Sequence, residues 1–447
     1  MYLYFRTVVF SIIVFFVWTN AISQGRFQLK NDAEKQSVSF KLLNNLIVFP
    51  IEVNGRPLNF MLDSGVGSTL LFNLYSKDSV ILNNKEKVKL QGLGSEEAVD
   101  AILSKGNVFT FGNVRGSNQS LYLILDDSFD LSSKLGITIH GIIGYEILKD
   151  FIVEINYGKK RITFYNPNTY KYKVCKKCES FDLSFYKLKP YIDVGIKLDK
   201  NSNNIIPVKL LIDSGGSDAL WLFEYSHPDI LPPKKYFNDF LGEGLSGSVH
   251  GKRAFIDALV IGKFELKKPT VSFPDSSSIS NARQFEERNG SLGASVLKRF
   301  KVTFDYGNKK IFFKKGSSFK EPFRYNMSGI ELVYNGKLLV REQNYASIGL
   351  TDSKANKQNI IILDYNYKYT FKPSYKIHNL REGSPAYNAG LLAGDIVIKI
   401  NGKFTYEMEL DEIIGKFFQK ENSEISLVVE RNGQDYEYHF YLKDMLK

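Results

Sequence analysis

Cysteine, tryptophan and histidine are scarce in this sequence of 447 residues, which has two, two and five of them respectively. Two cysteines cannot form the framework of a disulfide-rich scaffold. The sequence also has no His-Glu-x-x-His zinc motif and no Gly-Lys-Ser/Thr phosphate-binding loop. Beyond the N-terminus, no apolar run reaches the roughly 20 residues that a membrane-spanning helix needs. We therefore expect no metal site, no cofactor and no bundle of membrane helices.

The composition is that of a folded, sheet-rich protein. Hydrophobic residues make up 43% of the chain and charged residues 24%, which excludes a disordered chain, a coiled coil and a collagen-like polymer. Aromatic residues reach 14%, mostly Phe and Tyr, and this favours β-strands. The length predicts about three domains. The formal net charge of +11 would permit a nucleic-acid partner, so its interpretation depends on the compartment.

The N-terminal segment predicts export. An apolar stretch from Thr7 to Trp18 follows Arg6 and precedes the small-x-small site Ala21-Ile22-Ser23. The stretch is too short to span a bilayer comfortably, so residues 1–23 are predicted to be a secretory signal peptide. The alternative is an uncleaved N-terminal anchor. We expect a protein of the bacterial periplasm or exterior, with no membrane span after signal cleavage and no nucleic-acid partner.

A long motif occurs twice. The segment Pro57 to Gly65 ends in Asp-Ser-Gly, and Pro207 to Gly215 ends in the same tripeptide 150 residues later. Downstream, Gly141 to Phe151 matches Gly290 to Phe300 at nearly the same offset. Each copy then continues into a hairpin around a Tyr-Gly turn. Because apolar, β-branched stretches beside Gly-containing turns predict strands, the chain contains two copies of one β-rich unit.

The repeated Asp is the candidate chemical group. Each copy of it follows an apolar run typical of a buried strand and precedes a glycine that permits a tight turn. A carboxylate in that position is costly to desolvate without a partner. If the two copies face each other about a pseudo-twofold axis, Asp63 and Asp213 supply that partner and share one proton. Such a pair, whose titration belongs to both residues, can activate a water and protonate a carbonyl oxygen.

These motifs resemble those of the aspartic proteases of the pepsin and retropepsin-like superfamily. The resemblance rests on the two Asp-Ser-Gly tripeptides and on two later elements, Ile142-Ile143-Gly144 and Ser291-Leu292-Gly293. In the family, the later element crosses under the catalytic loop in a ψ-shaped arrangement. The resemblance implies a mainly β, bilobal acid-protease fold of two retropepsin-like β-barrel lobes. It also implies that the dyad residues are catalytic, that substrates lie between the lobes, and that four residues shape the catalytic turns: Ser64, Gly65, Ser214 and Gly215.

Two further family features are less clear in this sequence. Family members often carry Ser or Thr soon after the glycine to hydrogen-bond the Asp, whereas Val66-Gly67-Ser68 and Gly216-Ser217-Asp218 differ from each other. The substrate-covering flap should be a Gly-rich hairpin. The candidates are Gly92 and Gly94 in the first copy and Gly242 and Gly244 in the second. Neither run has the Tyr of pepsin flaps, so we expect a flap that uses backbone contacts.

The sequence permits two other interpretations. The run Asp213 to Gly216 also resembles the nucleophile segment of trypsin-like serine proteases, but the five histidines lie in no partner context and Ile212 replaces the preceding Gly of that family. That chemistry also leaves the duplication unexplained, so we reject it. A catalytically inactive, protease-like scaffold that binds exported proteins or peptides stays open as the alternative to an active endopeptidase.

The two cysteines lie between the copies. Cys175 and Cys178 could supply half of a tetrahedral zinc site, but no second half exists. In an exported protein they could instead close a small local disulfide. A redox role lacks the expected helix start and βαβ context. We expect these cysteines to be structural or incidental.

The C-terminal third has a different pattern. Ser384-Pro385 predicts the start of a short helix, and a strand from Ile396 to Ile400 lies between the turns Gly394-Asp395 and Asn401-Gly402. This segment closely resembles the core of a bacterial PDZ domain. The resemblance implies that a peptide adds beside a strand, with its C-terminal carboxylate held by loop amides at Ser328, Gly329 and Ile330. A PDZ fold that only braces the protease is the alternative. Residues 341–372 are expected to be an insertion with turns and extra strands.

The predicted organisation combines these parts. A signal peptide at 1–23 precedes a first protease lobe at 38–170, an interlobe linker at 171–189, a second lobe at 190–316 and a PDZ domain at 325–443. Both Asp residues lie in one chain, so a monomer is expected to be sufficient for activity. We predict an exported aspartic endopeptidase that acts on peptides or proteins, with a PDZ domain that binds peptides or C-termini.

Overall fold

The computed structural model describes residues 25–447 except 75–78, 91–97, 126–129, 173–174, 201–203, 245–246 and 350–360. For residues 343–349 and 361–366 it describes the backbone alone. The predicted signal peptide and the flap candidates Gly92 and Gly94 lie outside the described residues. Within those residues the fold is mainly β, which confirms the predicted fold class.

The first copy of the repeat forms most of one large sheet. Its strands are β1 (Arg26–Leu29), β2 (Lys35–Ser39), β3 (Lys41–Leu43), β4 (Leu46–Val53), β5 (Arg56–Leu62), β6 (Thr69–Leu71), β7 (Lys85–Leu90), β8 (Val99–Phe111), β9 (Val114–Ile124), β10 (Gly141–Ile143), β11 (Ile152–Asn156) and β12 (Arg161–Tyr165). Nine of them form a sheet in the order β1-β9-β6-β10-β5-β4-β8-β7, with β3 beside β4.

The second copy repeats this arrangement. Its strands are β13 (Cys178–Asp182), β14 (Ser184–Tyr186), β15 (Lys189–Lys197), β16 (Ile206–Asp213), β17 (Leu220–Leu222), β18 (Phe237–Gly244), β19 (Gly247–Phe255), β20 (Ala258–Ile261), β21 (Phe264–Lys267), β22 (Thr270–Pro274), β23 (Arg288–Gly293), β24 (Phe300–Asp305) and β25 (Lys310–Lys315). Ten of them form a sheet in the order β18-β19-β22-β17-β23-β16-β15-β20-β21, with β14 beside β15.

A third sheet joins the two copies. Its six strands are ordered β13-β25-β24-β11-β12-β2, so three strands of the second copy are followed by three of the first with no break between lobes. At its centre β11 and β24 are antiparallel, and Glu154 lies opposite Thr303. The distance between these two positions along the chain, 149 residues, equals the one between Gly144 and Gly293. A residue of the first copy therefore pairs with its own counterpart, which is the mark of a pseudo-twofold axis.

The segment between the lobes carries regular structure. Within the predicted linker at 171–189, β13 pairs with β25 and β14 pairs with β15. Cys175 and Cys178 form a disulfide at the entry to β13, so the expectation of a structural role agrees with their pairing. Ahead of the predicted start of the first lobe, β1 pairs with β9 and begins the sheet at Arg26.

Short helices connect some strands. They span Leu131–Leu135, Tyr145–Leu148, Ala294–Leu297, Pro385–Asn388 and Leu410–Lys416, and 3-10 turns span Ser276–Ile279, Ala282–Gln284, Ser317–Lys320 and Thr405–Glu407. Ser384 caps the helix Pro385–Asn388 by accepting a hydrogen bond from the Tyr387 amide, as the sequence predicts. No helix among the described residues is long and apolar enough to cross a membrane.

The C-terminal module has a sheet of its own. Its strands are β26 (Ile330–Gly349), β27 (Ile361–Leu380), β28 (Ile396–Ile400), β29 (Lys403–Phe404), β30 (Glu424–Arg431) and β31 (Gln434–Tyr441). They are ordered β26-β27-β28-β30-β31, with β29 beside β28. The expected insertion with turns and extra strands is wrong for the described part of 341–372. Both sides of it are continuations of β26 and β27, which form one long antiparallel ribbon.

The module and the second lobe share apolar packing. Phe237, the first residue of β18, is buried in the same cluster as Ile330, Ile377 and Phe417 of the C-terminal module. Its ring also lies edge-tilted against Tyr325, with centroids 5.2 Å apart. Burial of an aromatic side chain across such a boundary stabilises docking, so the module is not an independent appendage.

Candidate active site

The two repeated Asp residues lie together between the lobes. Asp63 follows β5 and Asp213 ends β16, and each strand is buried where it reaches the carboxyl, with Leu62 and Ile212 both 0% exposed. A Cβ atom placed on Gly65 would lie 3.2 Å from Oδ1 of both aspartates. Asp63 and Asp213 are close enough for the charge of Asp213 to raise the pKa of Asp63. The facing arrangement that the duplication predicts is therefore present.

Ser64 and Ser214 lock the two turns together. The Ser64 amide donates to Oγ of Ser214 at 2.9 Å, and the Ser214 amide donates to Oγ of Ser64 at 3.0 Å. Each hydroxyl then donates across the axis to a strand carbonyl, Ser64 to Ile212 at 2.8 Å and Ser214 to Leu62 at 2.9 Å. Four buried hydrogen bonds thus cross between the lobes directly beneath the carboxyls.

Ser214→Ala is expected to destabilise the protein by about 2 kcal/mol, because it removes a buried hydroxyl and leaves the Ser64 amide without an acceptor. Thermal unfolding at a fixed pH measures the change. The matched control is Ser68→Ala, on the first-copy loop, where the serine makes no side-chain hydrogen bond with another described residue. Equal destabilisation by the two substitutions would contradict the interlobe lock.

Glycines allow the close approach of the loops. A Cβ on Gly215 would overlap the Asp63 carboxyl, and one on Gly144 would overlap the Asp63 carbonyl oxygen. Gly144 follows β10, which runs parallel to β5 with Ile143 opposite Leu62, while in the second copy Gly293 ends β23 beside Asp213. The second repeated element therefore crosses beneath the first, as the resemblance implies, and only glycine fits at the crossing.

The surroundings of the two carboxyls affect their pKa values differently. Burial, and then the negative charge of Asp213, raises the pKa of Asp63 to about 7. Burial raises the pKa of Asp213 too, but the guanidinium of Arg288 and the amides of Gly215 and Gly216 oppose the rise. Each carboxylate oxygen Oδ1 accepts from the amide two residues on, at 2.7 Å from Gly65 and 3.0 Å from Gly215. The pair thus favours one shared proton over a wide range of pH, with the negative charge biased toward Asp213.

Two cationic residues that lie beside the dyad were not predicted from the sequence. Arg288, which is 4% exposed, donates to Oγ of Ser291 at 2.7 Å and interacts with Asp213. Lys189 lines the cleft and interacts with both aspartates. The repeat contains a signal for both residues. When the two copies are aligned strand by strand, Lys189 and Arg288 of the second copy take positions at which the first copy has apolar residues. Ser291, which departs from the usual apolar residue of the family, is explained by its bond to Arg288.

In the part of the chain that the structure describes, the side chain at the position where the family often has Ser or Thr does not hydrogen-bond Asp213. Asp218 lies where a family Ser or Thr is often found, but its carboxylate accepts from Arg253 and Ser272 at 2.9 and 2.8 Å and from the Trp221 indole at 2.9 Å. In this protein the second-copy loop is therefore held by an ion-pair network, and the outer partner of Asp213 is the Gly216 amide.

The second-copy flap candidates belong to a hairpin that contacts the C-terminal module. Gly244 lies opposite Gly247 at the end of β18, and Gly242 has a φ of +147°. Next to them Glu243 pairs with Lys134 of the first lobe at 2.8 Å, and Lys134 lies 3.6 Å from Glu331 of β26. Burial raises the pKa of Glu331. This hairpin is therefore tied to both the first lobe and the PDZ-like module.

The predicted carboxylate-binding loop is already hydrogen-bonded. Oδ1 of Asn326 accepts from the amides of Ser328 and Gly329 at 3.1 and 3.2 Å, and Oγ of Ser328 accepts from the Ile330 amide at 3.0 Å. A peptide carboxylate would have to displace Asn326 to reach the Ser328 and Gly329 amides, and the Ser328 hydroxyl to reach the Ile330 amide. Nearby, Gly136 of the first lobe lies against Leu410, with 2.8 Å between a Cβ built on the glycine and the leucine Cβ. The groove beside β26 thus contacts the first lobe.

Arg381→Met is expected to loosen the docking of the C-terminal module and to cost about 2 kcal/mol of stability. Arg381 donates to Asp239 of β18 at 3.2 Å and to the Asn326 carbonyl at 3.1 Å, and its guanidinium lies 4.3 Å from the Phe237 ring centroid. Hydrogen exchange of the β18 amides measures the effect. Arg341→Met, which removes a cation stacked on Tyr367 away from this interface, is the control. Unchanged protection of β18 in Arg381→Met would contradict the role of this contact.

All of these elements border one cavity. Its volume is about 860 Å³, and it is lined by residues of both lobes and of the C-terminal module. The dyad, the β18–β19 hairpin and the start of β26 all contribute to its wall. Within the described ranges, no cluster of three or more His, Cys, Asp or Glu side chains is arranged to hold a metal ion. The cleft can therefore present an extended chain to a proton-sharing carboxyl pair.

Two family models match separate parts of the chain. A family model described as aspartyl protease matches residues 49–147, which include Asp63 and Gly144, and one described as PDZ domain matches residues 377–431. Among solved structures, the aspartic proteinase from Irpex lacteus aligns at 14% identity with a TM-score of 0.42, over 64% of this chain and 99% of its own.

Curated relatives share a shorter stretch. Probable CtpA-like serine proteases of Staphylococcus aureus strains COL and N315 are each 39% identical over 54 residues, which is 12% of this chain and 11% of theirs. An alignment of 54 residues cannot include both dyad residues, which are 150 apart. The serine-protease name therefore does not bear on the pair of aspartates as a whole. By its two family matches, this protein contains an aspartyl protease-like domain followed by a PDZ domain.

Proposed function

We propose that this protein is an exported aspartic endopeptidase that hydrolyses peptide bonds through a water activated by Asp63 and Asp213. The observation that carries the proposal is the pair of closely spaced, buried carboxyls on symmetric loops in the wall of a cleft. Because one chain supplies both carboxyls, a monomer suffices. The match to a protease family supports peptides as substrates.

The electrostatic bias suggests which carboxyl has which role. Arg288 and two backbone amides favour the negative charge on Asp213, so this carboxylate accepts a proton from the attacking water. Asp63, whose pKa is raised to about 7, donates its proton to the carbonyl oxygen of the scissile bond. The resulting gem-diol collapses when Asp213 passes the water proton to the amide nitrogen, Asp63 takes a proton from a hydroxyl of the gem-diol, and the C–N bond breaks. No covalent intermediate with the protein forms.

We further propose that the protein is exported and that its PDZ domain forms part of the cleft. The disulfide between Cys175 and Cys178 suits an oxidising compartment, in line with the signal peptide expected at residues 1–23. Periplasmic or extracellular substrates follow from that location. The PDZ domain would act as a wall of the cleft through its contacts with the β18–β19 hairpin. Capture of a C-terminus at Ser328, Gly329 and Ile330 would additionally require that Asn326 releases the loop amides.

A peptide-library cleavage assay on the purified mature chain tests the proposal. Cleavage that is inhibited by a statine peptide, a mimic of the gem-diol, would support it. Absence of cleavage, together with peptide binding that is unaffected by substitution of the dyad, would favour the inactive scaffold instead. Cleavage that survives statine but stops with a serine-directed inhibitor would overturn the aspartic mechanism.

A further inference from the structure

The two lobes differ in charge at equivalent positions next to the dyad. In the first copy the β3–β4 turn pairs Leu43 with Leu46, and in the second the β14–β15 turn pairs Tyr186 with Lys189. Lys189 therefore occupies the position that Leu46 has in the first lobe. Both side chains line the cleft. The substrate thus meets an apolar group on one side of the dyad and a cation on the other.

A second basic residue is specific to the second lobe. The Asn59 amide bonds to Nδ1 of His140, and the Lys209 amide bonds to Oδ1 of Asn289, so these two pairs are equivalent. The residues that precede His140 and Asn289, Ile139 and Arg288, are then equivalent as well. Arg288 is fully engaged, because it donates to the Gly290 carbonyl at 3.1 Å and to Oγ of Ser291 at 2.7 Å. Its charge is fixed behind Asp213 and does not reach the substrate.

Lys189 is placed differently. It is partly buried, it lines the cleft, and it makes no ion pair with a carboxylate of the described residues. The charged groups that act on it are Asp63, Asp213, Arg288 and Lys187. Burial and the Arg288 charge lower the pKa of Lys189, which is the cost of holding a cation there without a partner.

The local charges do not balance. A dyad that shares one proton carries a single negative charge, whereas Lys189 and Arg288 carry two positive charges. Lys187 adds to the excess, although it is exposed and its ammonium is bonded to Gln284 at 2.9 Å. Beside the dyad, one positive charge in a partly desolvated site therefore has no carboxylate partner among the described residues. A carboxylate on the substrate would neutralise it with a charge-assisted hydrogen bond.

We propose that Lys189 is a specificity-determining residue that selects substrates with a Glu or Asp side chain at one subsite beside the dyad. This inference rests on the proposed endopeptidase function. The opposite side of the floor, with Leu46, Met61 and Leu70, presents apolar surface to the neighbouring substrate residue. The preferred substrate is therefore an extended chain that combines one acidic residue with an apolar one across the scissile bond.

Binding of statine peptides tests the inference without requiring turnover. A series of peptides carries Glu, or its neutral isostere Gln, at one position at a time on either side of the statine. We expect the wild-type chain to bind the Glu peptide about tenfold more tightly than the Gln peptide at one position. Lys189→Met should remove that preference, and Lys189→Arg should retain it. Lys197→Met, farther along β15, is the matched control and should leave the preference unchanged, because Lys197 pairs with Glu265 at 3.5 Å outside the cleft.

The outcomes separate this inference from the function on which it rests. If wild-type protein binds statine peptides and cleaves the library but shows no Glu preference at any position, the inference fails and the peptidase proposal stands. If Lys189→Met weakens Glu and Gln peptides equally, Lys189 acts on the dyad and does not select substrate, which also overturns the inference. If no statine peptide binds the wild type and no peptide is cleaved, both proposals fail. The wild-type comparison remains decisive even if a Lys189 variant does not fold.

Discussion

Peptide cleavage by Asp63→Asn or Asp213→Asn is expected to fall by about 10⁴-fold or more, with the fold intact. Asparagine has nearly the shape of aspartate and keeps the hydrogen bonds from the Gly65 or Gly215 amide. It can neither accept the proton of the attacking water nor pass a proton to the carbonyl oxygen. The loss should therefore appear in kcat and leave peptide binding largely unchanged.

The control for this loss is Asp193→Asn. Asp193 lies on β15 of the same lobe, is largely exposed and pairs with Lys209 at 3.0 Å, so its charge lies outside the cleft. Cleavage by this variant should match that of the wild type. Initial rates on a cleaved library peptide give the comparison, and thermal unfolding reports the fold. Full activity of Asp63→Asn would remove the dyad mechanism, whichever residue performed the chemistry in its place.

The second large effect concerns stability and needs no substrate. Burial and the charge of Asp213 raise the pKa of Asp63 from 3.8 to about 7 in the folded protein. The folded state therefore binds more protons than the unfolded state between these pH values. The stability that this group contributes is fully present below about pH 4 and is lost as the pH rises through about 7.

Asp63→Asn should consequently be more stable than the wild type at pH 8, by about 2 kcal/mol or more. The substitution removes the repulsion between two buried charges, and the advantage should shrink as the pH falls toward 4. Thermal unfolding at pH 4, 6 and 8 measures it. With Asp193→Asn the curves should run parallel to those of the wild type. A wild-type stability that does not depend on pH in this range would mean that the two carboxyls are not coupled.

The two expected effects have different physical origins. The loss of cleavage depends on chemistry at the carboxyls, whereas the gain in stability depends on the burial of Asp63 and on its proximity to Asp213. An inactive scaffold with the same geometry would show the gain in stability and have no cleavage to lose. The two measurements together therefore separate an enzyme from a scaffold that has retained the shape of one.

The sequence anticipated the centre of the site because its signals are local and repeated. An apolar run that ends in Asp-Ser-Gly predicts a buried strand and a tight turn wherever it occurs, and two copies with matching downstream glycines indicate a pseudo-twofold axis. The register of β11 on β24, with Glu154 opposite Thr303, has that symmetry. The short helix capped by Ser384 is local in the same sense.

Other parts of the site depend on contacts between distant segments. Lys189 and Arg288 look like ordinary surface cations in the sequence, and their partners, Asp63 and Asp213, are brought near by the packing of several strands. Oδ1 of Asn326 accepts a hydrogen bond from an amide of the predicted carboxylate-binding loop. A comparison of sequence motifs does not reveal this contact. The hydrogen bond from Arg381 to Asp239 joins residues that are 142 apart in the chain.

The scarcity of cysteine and histidine, and the absence of long apolar runs beyond the N-terminus, excluded whole classes of protein from the start. The sequence by itself also determined the duplication, the strand-rich class and the identity of the two carboxyls, because hydrophobic period and turn chemistry act over a few residues. Only the tertiary structure decided the unequal charge of the two lobes around those carboxyls. It also decided that the PDZ domain docks on the β18–β19 hairpin and that the amides of the predicted carboxylate-binding loop are already hydrogen-bonded. Charge and hydrogen bonding act through space, so their effects follow from which distant segments the fold brings within a few ångströms of one another.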